Sequence, residues 1–119
     1  MGKFRMTHKM KLQPLPFSAI VSGRKTIEMR LFDEKRRNIR VGDHIVFTNM
    51  ENAEESIIVK VANLYEFSSF SELYQNIPLE KLGYQPDEIP FASYKDMEKY
   101  YPQEKQRKFG VLGIEIELL

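Results

Sequence analysis

The chain has 119 residues, of which 42% are hydrophobic and 29% charged, which fits one soluble globular domain spanning 1–119 and excludes disordered or fibrous classes. It contains no cysteine, so a disulfide framework, a thiol nucleophile and a cysteine-based zinc site are all excluded, and a reducing, cytoplasmic setting is expected. Net charge is only +1, but residues 1–49 hold eleven Lys/Arg against four Asp/Glu while residues 50–119 hold seven against thirteen. That asymmetry fits a basic surface for phosphate beside an acidic one, or two halves joined by ordinary surface ion pairs.

In chain order, the basic start "MGKFRMTHKMK" is followed by no apolar block of signal-peptide type. The longest uncharged run, Leu12 to Gly23, carries Pro14 and Pro16 and falls short of the roughly 20 apolar residues of a membrane span. "THKMKLQ" alternates His8, Met10 and Leu12 against Lys9 and Lys11, as a half-buried strand does. "PLPFSAIVSG" predicts a short helix, with Pro16 in its first turn, Phe17, Ile20 and Val21 at helical spacing, and Gly23 as the left-handed residue beyond its end.

"KTIEMRL" returns to period two, with Ile27, Met29 and Leu31 facing one way and Thr26, Glu28 and Arg30 the other, giving a strand with one charged face. A polar connection, "DEKRRNIRVGD", leads to the strand "HIVFTN", and "ESIIVKVANLYEF" forms a strand long enough to bend at a barrel corner. "SSFSELYQNI" predicts a serine-capped helix, and "PLEKLGYQPDEIPFA" a loop with one helical turn. "SYKDMEKYYPQEKQRKFG" opens on a Ser93-to-Asp96 capping pair and predicts a helix that stops near Pro102, before the final strand "VLGIEIELL". The expected class is α+β: a small mixed or antiparallel barrel of about five to six strands with peripheral short helices.

Most chemical signatures are missing. The six glycines form no phosphate loop or dinucleotide fingerprint, and there is no nucleophile elbow. His8 and His44 lack a carboxylate at ligand spacing and are expected to be packed or surface histidines, with no metal site.

The stretch "SGRKTIEMR" stands apart, because Gly23-x-Lys25-x-x-Glu28-x-Arg30 lies between a helix and a strand. Here Gly23 permits a sharp corner, Lys25 supplies a movable point charge, Arg30 offers a planar fork, and Glu28 is an acceptor for an exocyclic amine. A charged strand face is more commonly a solvated ladder of weak ion pairs. The basic run Lys35, Arg36, Arg37 and Arg40 is a second candidate for phosphate contacts, or a solvated loop tip. Tyr94, Tyr100 and Tyr101, with Phe91, could stack a base, but the spacing of Tyr94, Met97 and Tyr101 favours helix packing.

The G-x-K-x-x-E-x-R pattern, its lead-in Pro16, Phe17, Ile20 and Gly23, the Val41-Gly42-Asp43 turn and the closing "FGVLGIEI" resemble the ASCH domain (activating-signal-cointegrator homology) family of the PUA-like superfamily. The resemblance implies a PUA-like barrel with a cleft for RNA, a nucleotide or a modified nucleoside, no cofactor and no membrane partner. It implies ligand-binding roles for Gly23, Arg24, Lys25, Thr26, Glu28 and Arg30. Some members are amidohydrolases of N4-acylated cytidines, which use a lysine, a threonine nucleophile and a glutamate. Lys25 matches that lysine, and with Glu28 would be catalytic if this chain is an enzyme. Glu28 stands where the threonine belongs, Thr26 is displaced from it by two residues, and the catalytic glutamate has no clear counterpart, Glu80 and Glu88 being the candidates.

Overall fold

The computed structural model describes residues 5–119, so the first four positions of the basic amino-terminal stretch lie outside it. Five strands form one mixed sheet in the order β1-β3-β4-β5-β2, curled into a half-barrel, with β1 (Thr7–Leu12) and β2 (Ile27–Leu31) as its two edges. β1 runs parallel to β3 (His44–Asn49), and the other neighbouring pairs, through β4 (Asn52–Phe67) and β5 (Val111–Leu118), are antiparallel. The parallel pair requires a long connection, which α1 (Pro14–Val21) and β2 provide. β4 bends where its register against β5 shifts between Val61 and Asn63, the expected barrel corner.

Sequence alternation decides which way each strand faces. Met10 and Leu12, Ile45 and Phe47, Val59 and Val61, and Leu112 and Ile114 fill the inside of the curl, where Phe17 and Ile20 of α1 pack on them. A second apolar cluster lies on the other side of β2 and β5. There Ile27, Met29, Leu31 and Val111 meet Phe70 and Leu73 of α2 (Phe70–Asn76) and Leu82 of the 3-10 turn Leu79–Leu82. β2 therefore has buried residues on both faces, and its charged side chains are no solvated ladder.

Three further elements depart from the sequence reading. The loop after α2 holds two 3-10 turns, Leu79–Leu82 and Ile89–Phe91, rather than one helical turn. The Ser93–Asp96 capping box does form, but it caps only the 3-10 turn Tyr94–Met97. The helix then follows Pro102 instead of ending there: α3 spans Gln103–Phe109 and ends at Gly110, whose φ is 76°. Proline at a helix start loses a donor that has no partner there anyway, and "QEKQRKF" is rich in good helix formers. Gln106 of α3 is buried, accepting from Phe70 N at 3.0 Å and donating to Tyr101 O at 2.9 Å, which ties α3 to the start of α2.

His8 is buried and meets a carboxylate that spacing along the chain does not reveal. The β1–β3 pairing brings Asp43 to 2.8 Å from its Nε2. Asp43 also accepts from Met6 N at 3.1 Å and Arg40 N at 2.9 Å. Burial raises the Asp43 pKa, but these bonds outweigh it and hold it below the ordinary 3.8. Among the described residues no cluster of three His, Asp or Glu could hold a metal ion, and no helix is long and apolar enough to cross a membrane.

Candidate functional site

The corner between α1 and β2 is built by backbone bonds. Gly23, at φ 82°, donates to Ile20 O, and Lys25 N donates to Ala19 O at 3.0 Å, so carbonyls at the helix end find partners. Thr26 N donates to Lys81 O at 3.0 Å and Arg24 Nη1 to Gly83 O at 3.0 Å, docking the 3-10 turn Leu79–Leu82 against the corner. Gly83 has φ 103°, and a β-carbon added there would lie 3.3 Å from Lys25 Cδ. The lysine stem thus runs along a surface that only glycine leaves free.

Lys25, Glu28 and Arg30 come together as one buried network. Lys25 Nζ lies 3.0 Å from Glu28 Oε1, and Arg30 Nη2 lies 2.9 Å from Glu28 Oε2, with side-chain exposures of 8%, 6% and 12% in that order of residue number. Arg30 Nε also donates to Oε2 at 2.9 Å, and Met29 N to Oε1 at 3.1 Å. Those four contacts match the acceptor capacity of a carboxylate, so Glu28 has none left for a ligand amine. Burial pushes the Glu28 pKa up, yet Lys25 and then Arg30 outweigh it, and the carboxyl titrates below its ordinary 4.5.

Register explains why this charge is inside the protein. Glu28 pairs with Ile114 and Arg30 with Leu112, two residues of the inner cluster, so both side chains point into the curl where edges β1 and β2 approach each other. Arg30 Nη2 then donates to Lys11 O of β1 at 2.8 Å, spanning the seam between the two edges. Arg30 therefore supplies a donor to an edge carbonyl that has no strand partner.

Lys25 also lines an open cleft of about 390 Å³ between α1, the Gly83 loop and the segment 84–100. Arg24 and Lys99 add positive charge to its wall, Tyr74, Tyr84 and Tyr100 add aromatic surface, and Glu88 and Asp96 are its carboxylates. Tyr84 donates to Asp96 Oδ2 at 2.7 Å, so the 2.8 Å contact between the Tyr74 and Tyr84 hydroxyls has Tyr74 as donor. Burial raises the pKa of both phenols, with Tyr74 pushed up to about 12, and both stay protonated at neutral pH.

The remaining sequence candidates are dispersed. Glu88 lines the cleft; Glu80, exposed, does not. None of Lys35, Arg36, Arg37 and Arg40 lines it. Lys35 Nζ donates to Lys9 O at 3.2 Å, Arg36 pairs with Asp33 at 3.0 Å, and the Arg37 guanidinium lies 4.4 Å from the centre of the Phe32 ring. Tyr94, Met97 and Tyr101 do pack on the outer cluster, but from a 3-10 turn and the residues after it rather than from the expected helix, while Tyr100 faces the cleft and Phe91 is exposed. Sequence reasoning missed Gly83, Tyr74, Tyr84, Asp96 and Lys99. The only local signal was "KLGY", a glycine closing a helical turn ahead of an aromatic residue.

Comparison with known structures finds chains of similar fold. The crystal structure of the hypothetical protein PH0355 superposes with a TM-score of 0.79 at 36% identity, covering 96% of this chain and all of the other, which is 100%. The solution structure of PF0455 from Pyrococcus furiosus gives 0.69 at 34% identity, covering 96% and 98%. The S128A mutant of ZmASCH from Zymomonas mobilis gives 0.67 at 15% identity, covering 95% of this chain and 68% of that one, a likeness of fold alone. Among curated proteins no significant match was found. The family model described as "ASCH domain" matches residues 10–119, and the chain therefore belongs to the ASCH domain family.

Proposed function

We propose that this ASCH domain binds RNA or a nucleotide in the cleft at Lys25. The observation that carries the reading is the placement of a buried ammonium group on the wall of an open cleft that also presents Arg24, Lys99 and three tyrosines, beside the carboxylates Glu88 and Asp96. Lys25 Nζ gives one hydrogen to Glu28 and keeps two donors for a ligand oxygen. Arg24 and Lys99 complete the phosphate-facing side, and Tyr84 and Tyr100 supply ring surface for a base. A volume of about 390 Å³ is within the usual range for small-molecule sites.

Within this reading Glu28 and Arg30 are positioning residues: the carboxylate aims Lys25, and the guanidinium holds the carboxylate. Gly23 and Thr26 shape the corner. Phosphate contacts by the loop residues Lys35, Arg36, Arg37 and Arg40 would lie outside the cleft. Titration of nucleoside monophosphates and short RNAs against the wild type and Lys25→Ala is the test. Weaker binding in the variant, with circular dichroism showing a retained fold, is the expected result; equal affinity would refute the role given to Lys25.

The alternative is a small amidohydrolase acting on N4-acylated cytidine-type nucleosides, favoured by the presence of Lys25 and Glu88 on one cleft. Against it, the position of the expected threonine is taken by Glu28, whose oxygens are occupied. Lys25 acting as a base would also have to release the proton that pairs it with Glu28. Turnover of N4-acetylcytidine that disappears in Lys25→Ala would establish this second activity, and no product at high protein concentration would dismiss it for that substrate.

A further inference from the structure

We propose that the exposed face of β1 extends the cleft as a phosphate track for a single-stranded polynucleotide, with Lys9, Lys11 and Lys35 contacting successive backbone phosphates. This rests on the cleft being a nucleotide site, and it makes the ligand a strand rather than a free mononucleotide.

The alternation of β1 buries His8, Met10 and Leu12 and leaves Thr7, Lys9 and Lys11 exposed on the convex side of the sheet. Among the described residues no helix covers this region: across the sheet, Lys9 aligns with Val46 and then Ile58, whose exposure is 48%. Lys9 and Lys11 are two positions apart, about 6.6 Å at roughly 3.3 Å rise per residue. That separation is close to the distance between neighbouring phosphates of an extended strand.

The free edge of β1 joins this face to the cleft. Its outward carbonyls at Lys9 and Lys11 each accept from a cation, Lys35 Nζ at 3.2 Å and Arg30 Nη2 at 2.8 Å. Arg30 is joined through Glu28 to Lys25 on the cleft wall. Lys25 and Arg30 turn into the curl while Lys9 and Lys11 stand on its outer face, so a backbone passing from one set to the other crosses the β1 edge at these two carbonyl contacts, and Glu28, the carboxylate between Lys25 and Arg30, has its acceptor sites filled.

Of the nearby acids, Asp33 is held by Arg36 at 3.0 Å, Asp43 is buried against His8, and Glu117 lies on the same face but on β5, opposite Lys60. Exposed Glu51, Glu54 and Glu55 belong to the β3–β4 hairpin, past the Lys11 end of β1. Glu34 is the exposed carboxylate of the 32–43 loop, set against exposed Lys35, Arg37 and Arg40. A single line of cations fits one backbone, and a cleft that admits a base needs that base unstacked, so a single strand fits and a duplex does not.

The test is a pair of titrations across a salt series, one with a short labelled single strand and one with each nucleoside monophosphate. The proteins are the wild type, Lys25→Ala, Lys9→Ala/Lys11→Ala and Lys35→Ala. For single strands the log affinity against log salt slope changes by about 0.7 per phosphate contact, so the double variant should lose about 1.4 from its slope and Lys35→Ala about 0.7. Mononucleotide affinity should be unchanged in both. An unchanged oligonucleotide slope, with mononucleotides still bound at Lys25, would overturn the track and leave the cleft standing. Loss of all binding in the wild type, or binding indifferent to Lys25→Ala, would overturn the cleft reading and the track with it.

Discussion

Glu28→Gln keeps the shape of the side chain and removes the charge that faces both Lys25 and Arg30. In the wild type that charge is 5% exposed and accepts from two cations at 2.9–3.0 Å, so the variant leaves two cations in the seam with only an amide between them. Removing one partner of a buried ion pair costs about 3–5 kcal/mol. For a chain of this length that is on the order of 10–20 °C in melting temperature.

The pH dependence carries the sign of a depressed carboxylate. The folded pKa of Glu28 lies below 4.5, so its charge contributes stability that is fully present above the unfolded value and is lost as pH falls through the folded one. Thermal melts of the wild type and Glu28→Gln should therefore differ by a constant gap from neutral pH down to about 4.5, which narrows below it. A glutamine variant melting within experimental error of the wild type at pH 7 would refute the network as a stabilising element. A gap that widened in acid would refute the direction of the titration.

Gly83→Ala places a β-carbon at φ 103° and 3.3 Å from Lys25 Cδ. A left-handed conformation costs a non-glycine residue about 1–2 kcal/mol, and displacement of the lysine should weaken ligand binding beyond the lost stability. A variant that melts and binds like the wild type would show that the loop relaxes freely. Gln106→Ala leaves Phe70 N and Tyr101 O without their buried partner. It should destabilise by about 1–3 kcal/mol in denaturant melts, with faster amide exchange at Phe70, and unchanged exchange there would show that water replaces the side chain.

The sequence alone determined the features that depend on neighbours along the chain. Period-two alternation in 7–12, 27–31 and 111–118 chose strands and which side chains share a face, and in 7–12 also the buried face, because a side chain's direction along a strand follows its position parity. Gly23 marked the helix end, because its left-handed conformation disfavours other residues, and the motif around Lys25 carried the family.

Only the tertiary structure decided where those faces lie. Local pattern shows that Glu28 and Arg30 share a side of β2, but by itself a charged side reads more readily as solvent-facing than as turned inward. Pairing of β2 with β5, and the approach of β1 from the opposite edge, put it inside. The cleft was hidden for the same reason. Lys25 is separated by tens of positions from Gly83, Asp96 and Lys99, and meets them through contacts that no spacing along the chain records. The start of α3 at Pro102 shows the local limit too, since proline ends one helix or opens another with equal ease, and packing of Gln106 against α2 selects the latter.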